Sequence, residues 1–126
     1  MIHEFDPVIY PRKLWVTYDA TSDELNEYFP TGDVNDNKFK DETGYYGMTY
    51  SIQDKDKKGG VLIRFADNKE SMESWNMVHE AMHAAGYICS YVGIRADWDN
   101  DEAFVYLTTW IVKCCEKVKI HNEVNH

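Results

Sequence analysis

The stretch His79-Glu80-Ala81-Met82-His83 decides how this chain is read. On a helix, the four-residue offset puts both imidazoles on one face, about one turn apart, and the glutamate beside the first points to the flank. Neutral imidazoles are good zinc donors, and a carboxylate that is not itself a ligand can serve as general base to a water beside the ion. A helix is predicted beneath these residues independently of the motif. Residues 67–70 offer a start, Trp75, Val78, Met82 and Ala85 fall on one face, and Gly86 supplies a stop. The five residues then occupy the last two turns of that helix.

Working outward, Glu102 follows His83 after eighteen intervening residues, within Asp101-Glu102-Ala103-Phe104-Val105-Tyr106. His79, His83 and Glu102 would make a two-histidine, one-glutamate set for Zn2+ with a fourth position open, the layout of a catalytic zinc, and Glu80 would be its base. Asp97-Trp98-Asp99-Asn100 opens a further predicted helix with an apolar stripe of Phe104, Leu107, Ile111 and Val118. Asp99, Asp101 and Tyr106 are candidates to hold the far nitrogen of a histidine ligand, and Tyr106 sits one turn beyond Glu102 on the same face. Glu102 also lies three residues after Asp99, the spacing of a capping box, so two roles compete for one side chain. His3, His121 and His126, in the terminal segments, read as solvated.

Upstream, Lys13-Leu14-Trp15-Val16-Thr17-Tyr18 is rich in β-branched and aromatic residues and reads as a strand, after an extended segment at residues 7–11. Thr21-Ser22-Asp23-Glu24 is a capping box for a short helix carrying Leu25, Tyr28 and Phe29, stopped by Pro30 and Gly32. Residues 31–43 are polar and loop-like. Residues 45–52 and 60–65 pair as a hairpin across the charged, glycine-ended turn Asp54-Lys55-Asp56-Lys57-Lys58-Gly59-Gly60. The expected fold is α+β, a small mostly antiparallel sheet packed on the HExxH helix and the following glutamate helix. Residues 61–65 are the expected place for an extended peptide to add by backbone pairing. Tyr87, Tyr91 and Arg95, between the two ligand-bearing helices in sequence, are the candidates for stabilising an oxyanion.

Length allows one domain, residues 1–120, with 121–126 as a flexible tail. The 44% hydrophobic fraction supports a folded core despite a net charge of -9, and that charge repels phosphate backbones, which argues against nucleic acid as a partner. No apolar run approaches the roughly twenty residues of a membrane span, and the first residues have neither a basic leader nor an apolar signal core, so the expected location is the cytoplasm. Three cysteines, an odd number with Cys114 and Cys115 adjacent, point to reduced, buried thiols rather than a disulfide framework.

The motif, its eighteen-residue spacer and Glu102 resemble the signature of the gluzincins, zinc metallopeptidases whose third ligand is a glutamate on a later helix. The segment from Asp101 to Leu107 is similar to the Asn-Glu-Gly-Phe-Ala-x-Tyr stretch of their aminopeptidase branch. It keeps Glu102 and Phe104, departs at the other four specified positions, and carries its tyrosine, Tyr106, one place early. The resemblance spans roughly residues 62–111 and lacks both the glycine-rich exopeptidase motif and the C-terminal lobe of the larger members. In size the chain looks most like compact zincin-like proteins of phages and other mobile elements. The resemblance implies a small twisted sheet leading into the active-site helix, and a zinc-dependent peptidase acting on peptide or protein substrates. The alternative is an interaction or metal-stabilised binding domain that keeps this scaffold without turnover.

Overall fold

The computed structural model describes residues 1–33 and 35–125. The elements are β1 (Ile2–Phe5), β2 (Lys13–Thr17), α1 (Ser22–Tyr28), β3 (Gly47–Gln53), β4 (Gly59–Phe65), α2 (Ser74–Tyr91) and α3 (Glu102–Val124). They form an α+β fold around one sheet of order β1-β2-β4-β3, in which β2 and β4 run parallel and the outer two pairings are antiparallel. Alternation along the two central strands explains the layering. Leu14, Val16, Val61, Ile63 and Phe65 face α2 and α3, while Trp15 and Leu62 face α1 together with Ile52 of β3 and Phe39 from the loop. A parallel pair covered on both sides is apolar at successive positions, as in Leu14-Trp15-Val16 and Val61-Leu62-Ile63.

The hairpin forms as expected, in register from Gly47 opposite Phe65 to Gln53 opposite Gly59. Its turn is held by the buried Asp54, whose Oδ1 accepts from the backbone N–H groups of Asp56 and Lys58, each at 2.9 Å. Helix α1 starts with the expected capping box, Thr21 accepting from the Glu24 backbone N–H and the Glu24 side chain reaching back. Two features went unforeseen. Strand β1 pairs with β2, and Glu4 of β1 accepts from Trp15 Nε1 at 3.1 Å. His3 is therefore half-buried rather than solvated, which lowers its pKa from the ordinary value.

The placement of β4 corrects one expectation. It lies between β2 and β3, so both of its edges are already paired and residues 61–65 cannot receive a peptide; the edge strands are β1 and, next to β4, β3.

Helix α2 also differs from its sequence reading. It begins at Ser74 rather than at residues 67–70 and passes through Gly86 to Tyr91, because Ile88 and Cys89 beyond the glycine bury against the core. The glycine that ends it is Gly93, at φ +78°, the left-handed conformation a helix stop requires. The buried face is rotated from the expected one. Trp75, Val78 and Met82 are exposed, whereas Met77, Ala81, Ala84, Ala85 and Ile88 are buried. Small residues at 81, 84 and 85 let the helix backbone lie close to the sheet where α3 also packs, a space the larger side chains would overfill.

In α3, residues 97–100 form a turn instead of the first helical residues, and the helix starts at Glu102. The predicted stripe is present in Leu107, Ile111 and Val118, joined by Cys114 and Cys115, with Phe104 half-buried beside it. The helix continues through residues expected to be a tail, ending at Val124, and the His121 ring meets His3 edge-on at 5.0 Å. His126 lies outside the described residues. No described helix is long and apolar enough to cross a membrane.

Gly60 is the tightest point of the β2–β4 pairing. A Cβ there would stand 2.2 Å from the Lys13 carbonyl oxygen and 2.7 Å from Trp15 Cζ3. Gly60→Ala is expected to cost about 1–3 kcal/mol in urea denaturation; a loss under about 0.5 kcal/mol would mean the strands separate easily. The three cysteines are free and buried, and burial pushes Cys114 up to about 11 and Cys115 higher still. Both thiols are therefore expected to react with a thiol reagent at pH 8 only as fast as the chain opens. Rapid stoichiometric labelling of native protein would contradict this packing.

Candidate metal-binding and catalytic site

The helical period on α2 divides the motif. Glu80 is turned inward at 4% exposure, while His79 and His83 stand on the outer side. Their rings meet edge-to-face with centroids 4.9 Å apart, the one-turn neighbourhood that the four-residue spacing dictates. The Glu80 carboxylate has two distinct environments. Oε1 accepts a hydrogen bond from Thr49 Oγ1 of β3 at 2.7 Å, and Oε2 lies 3.8 Å from His79 Nε2. The glutamate therefore sits between the edge strand and the first imidazole.

Three residues that the sequence reading missed build this pocket. Thr49 supplies the donor that a buried carboxylate needs if its desolvation is to be offset. Gly47 leaves room for it, since a Cβ there would meet Glu80 Cγ at 2.9 Å and Cδ at 3.1 Å. Asn76, one helical turn before Glu80 and 3% exposed, donates through Nδ2 to the Ser71 carbonyl at 2.7 Å and so fastens the entry to α2. A faint signal was present in sequence: a polar residue four positions before Glu80, and Gly47 and Thr49 on one face of an alternating strand. Nothing local, however, says that β3 crosses this part of α2.

Glu102 is not brought to the histidines. Asn122 near the end of α3 reaches Met72 just before α2, and Phe104 near the start of α3 shares a cavity with Gly86, Cys89 and Gly93 at the end of α2. The helices therefore run back along each other. Glu102, exposed in the first turn of α3, lies towards the far end of α2 from His79. Among the described residues, no three His, Cys, Asp or Glu side chains gather into a group that could hold a metal ion. Two donors thus fit zinc, as adjacent exposed imidazoles, and the third that the resemblance implies is not joined to them in this arrangement.

The other candidates are dispersed as well. Tyr106 is exposed on α3, Asp99 and Asp101 sit in the segment leading into it, and none of the three bonds to either imidazole among the described residues. As a helix entry this segment is weak, since Asp101 occupies the capping position without a side-chain hydrogen bond and Asp99 does not form the capping box with Glu102. Of the oxyanion candidates, Tyr91 carries the Arg12 guanidinium over its ring at 3.5 Å, and Tyr87 and Arg95 are exposed. No known family, characterised protein or solved structure matches the chain.

The Thr49–Glu80 bond makes a direct prediction. Thr49→Val keeps the shape and removes the donor, so it is expected to destabilise the protein by about 1–3 kcal/mol. In the Glu80→Gln background the same change should cost less, because the neutral amide is easier to leave unpaired. Equal costs in both backgrounds, measured by chemical denaturation, would show that the hydroxyl does not serve the carboxylate.

Proposed function

We propose that the chain is a minimal zinc-dependent peptidase in which His79 and His83 contribute metal donors and Glu80 is the general base. The observation that carries this reading is the position of the Glu80 carboxylate between the open edge strand and His79. A substrate peptide adds to β3 by backbone pairing, which presents its carbonyl groups to the helix that carries the motif. The far edge of β3 is bridged by Asp33 at Ile52, so pairing is directed to its first half, above Glu80. Exposed Trp75, stacked edge-on against Tyr46 at 5.2 Å, together with Val78 and Met82, offers apolar contacts beside the imidazoles.

Zinc, when bound, supplies Lewis acidity and makes water acidic enough to be deprotonated near neutral pH. The rest falls to the chain's own groups. Thr49 holds Oε1 of Glu80, which leaves Oε2 as the atom that takes the proton and later returns it to the leaving amine. Burial beneath β3 excludes bulk water from that carboxylate. The substrate is a peptide or protein in extended form.

A second reading is favoured by one observation, the separation of Glu102 from the histidines: the same surface binds an extended peptide without cleaving it. Glu80→Gln discriminates. On the peptidase reading, this variant keeps zinc by elemental analysis and loses cleavage of extended peptides by about two to four orders of magnitude. His79→Ala and His83→Ala each lose the metal. Zinc-loaded wild type that binds peptides but leaves them intact would establish the binding domain instead, and Glu80→Gln that cleaves at the wild-type rate would remove Glu80 as the base.

A further inference from the structure

On the other side of the sheet, away from α2, Leu62 and Arg64 share the opposite face of β4. Leu62 packs into the α1-side core, whereas Arg64, 5% exposed, lines a cavity of about 400 Å³ beyond the carboxyl ends of β2 and β4. Loops leaving the carboxyl ends of neighbouring parallel strands diverge, and that crevice is where such sheets hold ligands. The volume falls within the range of small-molecule sites.

The cation inside this cavity is not matched by an acid. Arg64 Nη1 donates to the Lys40 carbonyl at 3.0 Å and the guanidinium lies 5.7 Å from the Tyr45 ring, but it makes no ion pair among the described residues. A guanidinium this deeply buried carries a desolvation cost that a carboxylate partner ordinarily offsets. Asp19, Asp41, Glu42 and Asp67 line the same cavity and are exposed, and Asp19 is already paired with the N-terminal ammonium at 2.6 Å, so the acids stand at the rim and the cation stands inside. A simple anion would have to pass four carboxylates to reach Arg64. A simple amine would satisfy the rim and leave Arg64 without a counter-charge.

We propose that this cavity binds a basic amino acid, its carboxylate paired with Arg64 and its positive groups held by Asp41, Glu42 and Asp67. The planar guanidinium suits a carboxylate because it can donate two parallel hydrogen bonds. The site lies on the opposite face of the sheet from Glu80 and does not depend on catalysis there.

The test is to titrate the full chain with L-lysine and, separately, with cadaverine, which has the same side-chain amine but no carboxylate, following the Arg64 Nε–Hε resonance by NMR. L-lysine is expected to shift that resonance and to bind at least about tenfold more tightly than cadaverine. Arg64→Met should abolish the difference between the two ligands. Should that variant fail to fold, the comparison on wild type still decides. Equal affinity for cadaverine, or no binding of L-lysine up to about 10 mM, overturns the proposal.

Discussion

The parallel pairing of β2 and β4, buried on both faces, is the constraint from which the rest of the structure follows. Trp15 opposite Leu62 and Val16 opposite Ile63 carry apolar side chains to both sides of the sheet. Each side must then be covered, by α1 and the Phe39 loop on one and by α2 and α3 on the other. The pairing takes one edge of β4 and leaves β3 to pair with the other, at the rim of the sheet. With β3 at the rim and α2 packed below it, Glu80 meets Thr49 and the edge of the sheet remains available beside the motif. The chemistry proposed for Glu80 is thus a consequence of strand order as much as of the five-residue motif.

The motif itself separates into two environments because helix periodicity puts residues 79 and 83 on one side and residue 80 on another. Exposed imidazoles can exchange a metal ion with solvent, and a buried carboxylate fixed by a hydroxyl holds its orientation. Preorganisation of this kind is what a general base needs, since a side chain already held in place does not have to be ordered during reaction. The same burial explains why Gly47 cannot carry a larger side chain without moving Glu80.

Much of the fold was legible in sequence because it is written in local signals. The Thr21 capping box, the β3–β4 hairpin with its Asp54 turn, and the Leu107, Ile111 and Val118 stripe all rest on short-range spacing, and each is present. What was not legible depends on partners distant in the chain. Strand β1 exists only because β2 offers it an edge, and the interior position of β4 follows from a pairing with residues 13–17 that no local pattern encodes. Gly86 reads as a stop until tertiary burial of Ile88 and Cys89 carries the helix past it. Trp75, Val78 and Met82 gave a plausible apolar stripe, but the close approach of α2 to the sheet selects the alanine face instead. The adjacency of His79 and His83 is a property of one helix and could be read directly. The position of Glu102 depends on how two helices run past each other, which the eighteen-residue spacer alone does not determine.

The account's central claim is that His79 and His83 form one metal-binding surface with the Glu80 carboxylate beside it. The most direct measurement is a crystal structure of the zinc-soaked protein with anomalous data collected on either side of the zinc edge. The account predicts a single strong anomalous peak between the two imidazoles, within reach of Glu80 Oε2. A peak elsewhere on the chain, with the histidine pair free of metal, would contradict it.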